Sequence, residues 1–387
     1  VTVLDAVMSR RRTMLVSATI RLGYAWTIRR EESRAWREVM SMTGVVNSIL
    51  GANREALSPA ELVDQLSRKP LRHIAPDVFK DDPLGRVTIL EWGEISDDVY
   101  SDGCSAIVSV LERGDRGRGW MPTWTWMQHE IIENEAFLGL KAGASDADYV
   151  TRRRFTTEHP AGEREAIADA CSDAGILPPV RYVPLPPDRA YEGRYWWPCP
   201  VCQWPMRVNG ASVRCSYWAH NAEYAIRSLK DGQPPKLRPR DDTVRRQPAA
   251  KTVHRDGGRQ TVCVEFSVWR FIVVPGIEEL KLYKRWDGKP PLIVELWPHQ
   301  DLYDVRFAIK ELDWELAVDL KDVASASGLA DEIAKKPLAA KTIVLPDHRG
   351  TAQRVELQDL LPDYTVLMVE DVNRIVKKKL AEARRAQ

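Results

Sequence analysis

The run Trp314 to Leu320 ends in Asp319-Leu320-Lys321, a carboxylate and an ammonium two residues apart on a segment rich in β-forming side chains. Residues at that spacing on a strand share a face, so Asp319 and Lys321 point into one site while Leu320 packs behind them. Asp304 falls on the preceding strand-like run, Leu302 to Ile309, from which it can meet the pair. Glu279, on the helical stretch before both, can orient a water or hold a second metal ion. Hydrolysis of a phosphodiester needs such a set. Two carboxylates hold Mg2+ against the scissile phosphate, the ion lowers the pKa of a bound water, and lysine places that water or stabilises the transition state. Aspartate and lysine two apart also occur as a simple salt bridge at a strand end. The second aspartate, the acidic helix and the apolar flanks favour a metal-dependent nuclease over that alternative.

A second constellation lies upstream. Cys199-Pro-Val-Cys202 is followed by Cys215 and His220, with Asn209-Gly210 between them at the expected tip of a hairpin. Thiolates two residues apart on a tight knuckle can both face one Zn2+, and the hairpin returns a second pair to complete a tetrahedron. His254 competes with His220 for the fourth place. Four protein ligands leave no open position for water, so the expected role is structural in a zinc-ribbon-like module, with Trp196, Trp197, Trp204 and Trp218 supplying its small core. Cys104, Cys171 and Cys263 read as buried thiols, and six cysteines in 387 residues are too few for a disulfide scaffold.

The elements that must position these residues follow from periodicity. From Val268 onward, strand-like runs alternate with helical ones: Val268 to Val274 is strand-like and Ile277 to Trp286 has helical spacing. Strands are expected at Leu292 to Leu296, Leu302 to Ile309 and Trp314 to Leu320, then a helix near Leu329 to Lys335. Strands at Thr342 to Leu345 and Thr365 to Val369 and a final helix complete an α-β-β-β-α-β core in an α/β domain over residues 263–387. Residues 1–177 read as helical, with partner or substrate docking as their expected role. Ser58, Pro59 and Glu61 form a helix start before Leu62 and Leu66, and Ala166 to Ile176 forms a helix stopped by Gly175, Pro178 and Pro179. The zinc module takes residues 178–226. Residues 227–262 read as a basic linker, since Arg227 to Arg259 carries ten basic against four acidic residues.

Formal net charge is only +1, so any nucleic-acid surface must be local. Arg113, Arg116 and Arg118 beside Trp120, Trp124 and Trp126 could stack bases and hold phosphates, or be turns beside core tryptophans. Lys377, Lys378 and Lys379 on the final helix are candidates for phosphate contact. The start lacks a signal peptide pattern and no apolar run reaches the length of a membrane span, so a cytoplasmic protein is expected.

These motifs resemble a known family. Val268-Trp-Arg-Phe-Ile-Val-Val-Pro-Gly276, Glu279-Leu280, Leu296-Trp-Pro298, Asp301-Leu-Tyr-Asp304 and Ala317-Val-Asp-Leu-Lys-Asp322 are similar to the PD-(D/E)xK restriction-endonuclease-like proteins encoded beside bacterial pPIWI-RE Argonaute-like proteins and a DinG-type helicase. Cys199-Pro-Val-Cys202-Gln-Trp-Pro-Met206 with Cys215 resembles the cysteine module that precedes the nuclease there. The resemblance covers about the last half of the chain. It implies a Mg2+-dependent DNA endonuclease subunit of a three-gene defence island acting on invading DNA, at R-loops or single strands, with the helicase and the pPIWI-RE protein as partners. Asp304, Asp319 and Lys321 match its nuclease motif and Glu279 its helical acid. Tyr303 stands where the class name has proline, and Glu278 offers a second helical acid. The competing readings are a non-catalytic subunit that binds nucleic acid or bridges partners, and an RNase.

Overall fold

The structure, a computed structural model, describes residues 3–30, 33–51, 54–79, 83–91, 93–96, 99, 135–227, 233–240, 247–323 and 326–386. The Arg113 to Trp126 cluster and Cys104 lie outside these. Two compact units emerge, Val1–His129 with Val323–Lys336, and Glu130–Asp322 with Pro337–Gln387. No helix among the described residues is long and apolar enough to cross a membrane.

The first unit is helical. It contains α1 (Val3–Ile28), α2 (Ala35–Leu50), α3 (Pro59–Arg68), α4 (Leu71–Ile74) and a small hairpin of β1 (Leu90–Glu91) and β2 (Glu94–Ile95). Leu15, Leu22, Val39, Val46, Leu62 and Leu66 are fully buried in its core. The expected start of α3 is present: Ser58 Oγ accepts from the Glu61 N–H at 3.3 Å, and the Glu61 carboxylate accepts from the Ser58 N–H at 2.8 Å. Two backbone donors that a helix start leaves unpaired are thereby satisfied. The helix Ala326–Lys335 counts with this unit, not with the sheet whose strands it separates in sequence.

The second unit begins well before the boundary expected near residue 177. It holds α5 (Asp146–Glu158), β3 (Ala161–Glu163), α6 (Arg164–Asp173) and β4 (Tyr182–Pro184). Gly175, at φ +67°, turns the chain out of α6 as the sequence implied. The stretch expected to be a linker is partly built into sheets. A meander of β6 (Arg207–Asn209), β7 (Ser212–Arg214), β8 (Glu223–Arg227) and β9 (Lys236–Pro239) carries the cysteine cluster, and β5 (Tyr195–Trp196) pairs with β10 (Lys251–Thr252). Strand β11 (Thr261–Val264), buried at all four positions, lies between β3 and β4. Its Val and Cys side chains satisfy a pleated, two-sided interior, which outweighs the basic composition before it.

The remaining strands form one five-stranded sheet in the order β12 (Ile293–Leu296), β13 (Val305–Ile309), β14 (Trp314–Leu320), β15 (Thr342–Leu345) and β16 (Thr365–Met368). The first three run antiparallel and the last two join parallel. Helix α7 (Val274–Trp286) precedes the sheet, α8 (Gly350–Leu360) links β15 to β16, and α9 (Val369–Ala386) ends the unit. Two local expectations fail. Val268 to Val274 is helical, with Trp269–Val273 forming a π-helical turn. Val268, Trp269, Ile272, Val273 and Val274 are all buried, so a helix enclosed on every side carries the apolar, β-branched composition of a strand. Helix α8 leaves little helical signal in the sequence because its apolar face is thin: Leu357 is buried while Val355 and Leu360 are exposed.

Candidate active site and metal centre

Strands β13 and β14 pair Val305 with Val318, which sets Asp304 beside Asp319. Asp304 stands just before β13; its N–H donates to the Val318 carbonyl at 3.1 Å, and its Oδ2 accepts from the Leu320 N–H at 2.6 Å. Asp319 lies on β14. Lys321 follows the strand's last residue, donates its N–H to the Val344 carbonyl at 2.8 Å, and brings Nζ to 3.8 Å from Asp319 Oδ1. Asp304 and Asp319 are only 6% and 7% exposed. Burial, with the Glu279 charge next, pushes the Asp304 carboxyl well above its ordinary range, and burial raises Asp319 too. Burial would lower the Lys321 ammonium, yet the charges of Asp304, Asp319, Glu279 and Asp301 hold it above its usual value.

Glu279 projects from α7 into the same region, whereas Glu278 pairs outward with Lys281 at 2.6 Å. Its contacts introduce a residue that the sequence reading missed. Arg153 of α5, 3% exposed, places Nη2 2.9 Å from Glu279 Oε2 and Nη1 on the Asp301 carboxylate, with its guanidinium 4.4 Å from the centre of the Trp297 ring. Trp297 Nε1 also donates to Glu279. The approach of the two helices depends on Gly276, where a Cβ would meet Thr157 Oγ1 at 2.7 Å. Asp301 is delivered by a turn in which Trp297, His299, Gln300 and Asp301 all have positive φ, a strained conformation for side-chain-bearing residues. Tyr149, Arg153, Thr156 and Thr157 occupy one buried face of α5; a lone arginine at i+4 in that stripe is the signal that the Arg152-Arg153-Arg154 run concealed. Four formal carboxylates, Glu279, Asp301, Asp304 and Asp319, thus share the region with two cations, Arg153 and Lys321. The formal excess of two negative charges suits a divalent ion.

The cysteine module is of a different kind. Cys199 and Cys202 lie on the knuckle between β5 and β6, Cys215 follows β7, and His220 ends a short 3-10 turn before β8. Gly210, at φ +56°, makes the expected hairpin turn. His220 Nδ1 is 3.2 Å from Cys215 Sγ and 3.6 Å from Cys199 Sγ, and all four ligand atoms lie within 4.8 Å of one another. Among the described residues it is the one group of three or more potential ligands that close together. Three N–H groups point at the sulfurs: Val201 at Cys199 and Tyr217 at Cys215, each 3.4 Å, and the Trp269 indole at Cys202, 3.3 Å. Burial pushes the thiols of Cys199 and Cys215 up, whereas at Cys202 burial is outweighed by hydrogen bonds from those two thiols, which hold it well below its usual range, so one thiolate is supported by the protein alone and three would need a cation. The donor set is one that can hold a metal ion. His254 is turned away, 3.8 Å from Glu163. Trp196, Trp197 and Trp204 are buried as expected, but Trp218 is 42% exposed and meets His348 edge-on instead of filling the core. Cys171 and Cys263 are buried, and burial pushes the Cys263 thiol up to about 12.

Helix α9 buries Val372, Val376 and Leu380 and leaves Lys377 and Lys378 exposed, while Lys379 pairs with Glu382 at 2.8 Å. A cavity of about 820 Å3 is lined by Arg354 of α8, Arg374 and Lys378 of α9 and the acidic Asp347, Glu370 and Asp371.

Residues 276–384 match the family model described as "REase associating with pPIWI_RE", where REase is restriction endonuclease, and residues 11–163 match "pPIWI_RE three-gene island domain Y". No curated protein and no solved structure matches the chain. The domain Y match runs through α5, so Arg153 comes from a segment matched to one family and binds Glu279 in a segment matched to the other. The two descriptions imply association with pPIWI-RE proteins. The carboxy-terminal segment is thus similar to the restriction endonucleases that associate with pPIWI-RE, and the amino-terminal segment to domain Y of the pPIWI-RE three-gene island.

Proposed function

We propose that the chain is a Mg2+-dependent DNA endonuclease subunit of an anti-invader defence system, working with a pPIWI-RE protein and a DinG-type helicase. The observation that carries the reading is the meeting of Asp304, Asp319 and Lys321 at the junction of β13 and β14, with two formal negative charges in excess. Asp304 and Asp319 would hold Mg2+, which supplies a water acidic enough to attack and neutralises charge on the phosphate. Lys321 would orient the attacking water or stabilise the transition state. Glu279 stands behind them, fixed by Arg153 and Trp297. In the cysteine module, Cys199, Cys202, Cys215 and His220 would hold Zn2+ in a closed structural site. The reading further takes the helical region as a docking part, the cysteine module as zinc-ribbon-like and the carboxy-terminal sheet as a PD-(D/E)xK domain, in a cytoplasmic protein.

The rival reading, a non-catalytic bridging subunit, draws on Glu279 being already engaged by Arg153. The assay that separates them uses purified protein, alone and with its island neighbours, on duplex DNA, single strands, RNA and R-loops with Mg2+. Asp319→Ala and Lys321→Ala are each expected to lose at least about a thousandfold in cleavage rate while retaining nucleic-acid binding. Cleavage by both variants at the wild-type rate would return Asp319 and Lys321 to a strand-end salt bridge. Cleavage of RNA alone would make the chain an RNase.

A further inference from the structure

The residue after Lys321 points at the metal module. Asp322, its side chain 8% exposed, accepts from Arg349 Nε at 2.7 Å, stands 3.1 Å from His348 Nε2, and accepts from the phenol of Tyr217. Tyr217 sits between Cys215 and His220. Its own N–H donates to Cys215 Sγ at 3.4 Å, its ring meets the His220 ring edge-on at 4.9 Å, and the Arg270 guanidinium lies 5.2 Å from its centre. Burial would raise the Asp322 carboxyl, but His348 and Arg349 hold it well below its usual range, so it remains an acceptor for the phenol.

The backbone at Lys321 needs such an anchor. Strand β14 ends at Leu320, and after Asp322 the chain leaves this unit for a segment that counts with the other. A strand end where the chain departs frays unless its polar groups are tied. Three ties are present: Leu320 N–H to Asp304, Lys321 N–H to Val344, and the Asp322 carboxylate to Tyr217, His348 and Arg349. Only the third reaches the Cys199, Cys202, Cys215 and His220 loop.

We propose that Tyr217 and Asp322 form a strut through which the metal-loaded Cys199, Cys202, Cys215 and His220 site positions Lys321. Tyr217 and Asp322 are positioning residues: neither touches the reacting phosphate, and their effect on cleavage rests on the nuclease reading of Lys321. Metal loss frees the Tyr217 loop, the phenol leaves Asp322, and the lysine loses its register at the strand end. The bond is reciprocal, so releasing Asp322 also loosens the metal.

The test uses the full chain loaded with Zn2+, its metal content measured, and hydrogen exchange followed over residues 314–323. Tyr217→Phe keeps the ring against His220 and Arg270 and removes only the phenol oxygen, which donates to Asp322 and lies 3.1 Å from His348 Nε2. With metal still bound, this variant is expected to exchange at Lys321 and Asp322 roughly tenfold faster than wild type, as loss of a hydrogen bond to a buried charge allows. Asp322→Asn should do the same from the other end and release Zn2+ faster to a chelator. On a cleavable duplex, Tyr217→Phe should lower kcat about tenfold with KM unchanged, because the lysine is mispositioned while the binding surface is intact. Wild-type exchange in metal-loaded Tyr217→Phe and in Asp322→Asn overturns the strut. If wild type cleaves nothing under any condition while both variants exchange faster, the nuclease reading fails and the strut stands. If wild type cleaves and exchange is unchanged, the strut fails alone.

Discussion

The two constellations in the second unit hold charge in opposite ways. The Cys199, Cys202, Cys215 and His220 set has its ligand atoms gathered within 4.8 Å, with N–H donors on its sulfurs. At the strand junction, carboxylates are interleaved with Arg153 and Lys321, and Asp304 and Glu279 already accept protein donors. The first arrangement could hold a metal ion on four protein ligands, which would leave no place for substrate. The second is balanced in part by protein cations, and on the proposed nuclease reading a divalent ion would arrive with the phosphate it works on.

Each side of that comparison can be broken. Cys202→Ala should have the largest effect, because in small zinc modules ion binding is worth roughly 10–16 kcal/mol and is folding energy. Elemental analysis should fall from about one Zn2+ per chain to none, with loss of soluble protein; a variant with full metal content would remove the closed-site account. Arg153→Met should cost about 3–5 kcal/mol in denaturant unfolding, since it leaves Glu279 and Asp301 buried without their cation. Adding Glu279→Gln should recover part of that loss, and strict additivity of the two would mean the ion pair is not a unit.

Asp304→Asn sharpens the proton side. Because the folded-state carboxyl is held above its ordinary value, the native chain keeps a proton that the unfolded chain has released. Wild-type stability therefore falls as pH rises from the unfolded carboxylate value, about 4, through the higher folded one. The asparagine variant, which still offers Leu320 an acceptor, should be more stable than wild type by on the order of 1 kcal/mol at neutral pH and equal to it near pH 3. By the same linkage, Mg2+ should bind wild type more tightly as pH rises, and a pH-independent affinity measured by titration calorimetry would contradict a protonated ground state. The smallest effect is expected from reversing Lys377, Lys378 and Lys379 to glutamate: a weaker and less salt-sensitive DNA affinity if α9 tracks the backbone, and an unchanged salt slope if its face is merely solvated.

Much of this was legible in residue types and spacings. Asp319 and Lys321 share a face because strand geometry requires it, and the Cys199-x-x-Cys202 knuckle and the Gly210 hairpin follow from turn chemistry. The capping box at Ser58 is equally local. What could not be read was set by tertiary context. The helix through Trp269 carries a strand-like composition because its neighbours are buried on all sides, β11 is a central strand because β3 and β4 flank it, and Arg153 neighbours the candidate site only because Gly276 lets α5 approach. No local pattern encodes a partner more than a hundred residues away.

The excursion of the chain through Val323–Lys336 bears on how such a protein can be inherited. Units joined by one connection can be exchanged by fusing genes end to end. Here the chain passes between the units after His129, after Asp322 and again after Lys336. A single recombination breakpoint that swapped the five-stranded sheet for another would carry off the Val323–Lys336 segment that counts with the other unit, and would separate Arg153 from Glu279 as well. Exchange of either matched segment alone would therefore break the Arg153–Glu279 pair unless the other changed with it.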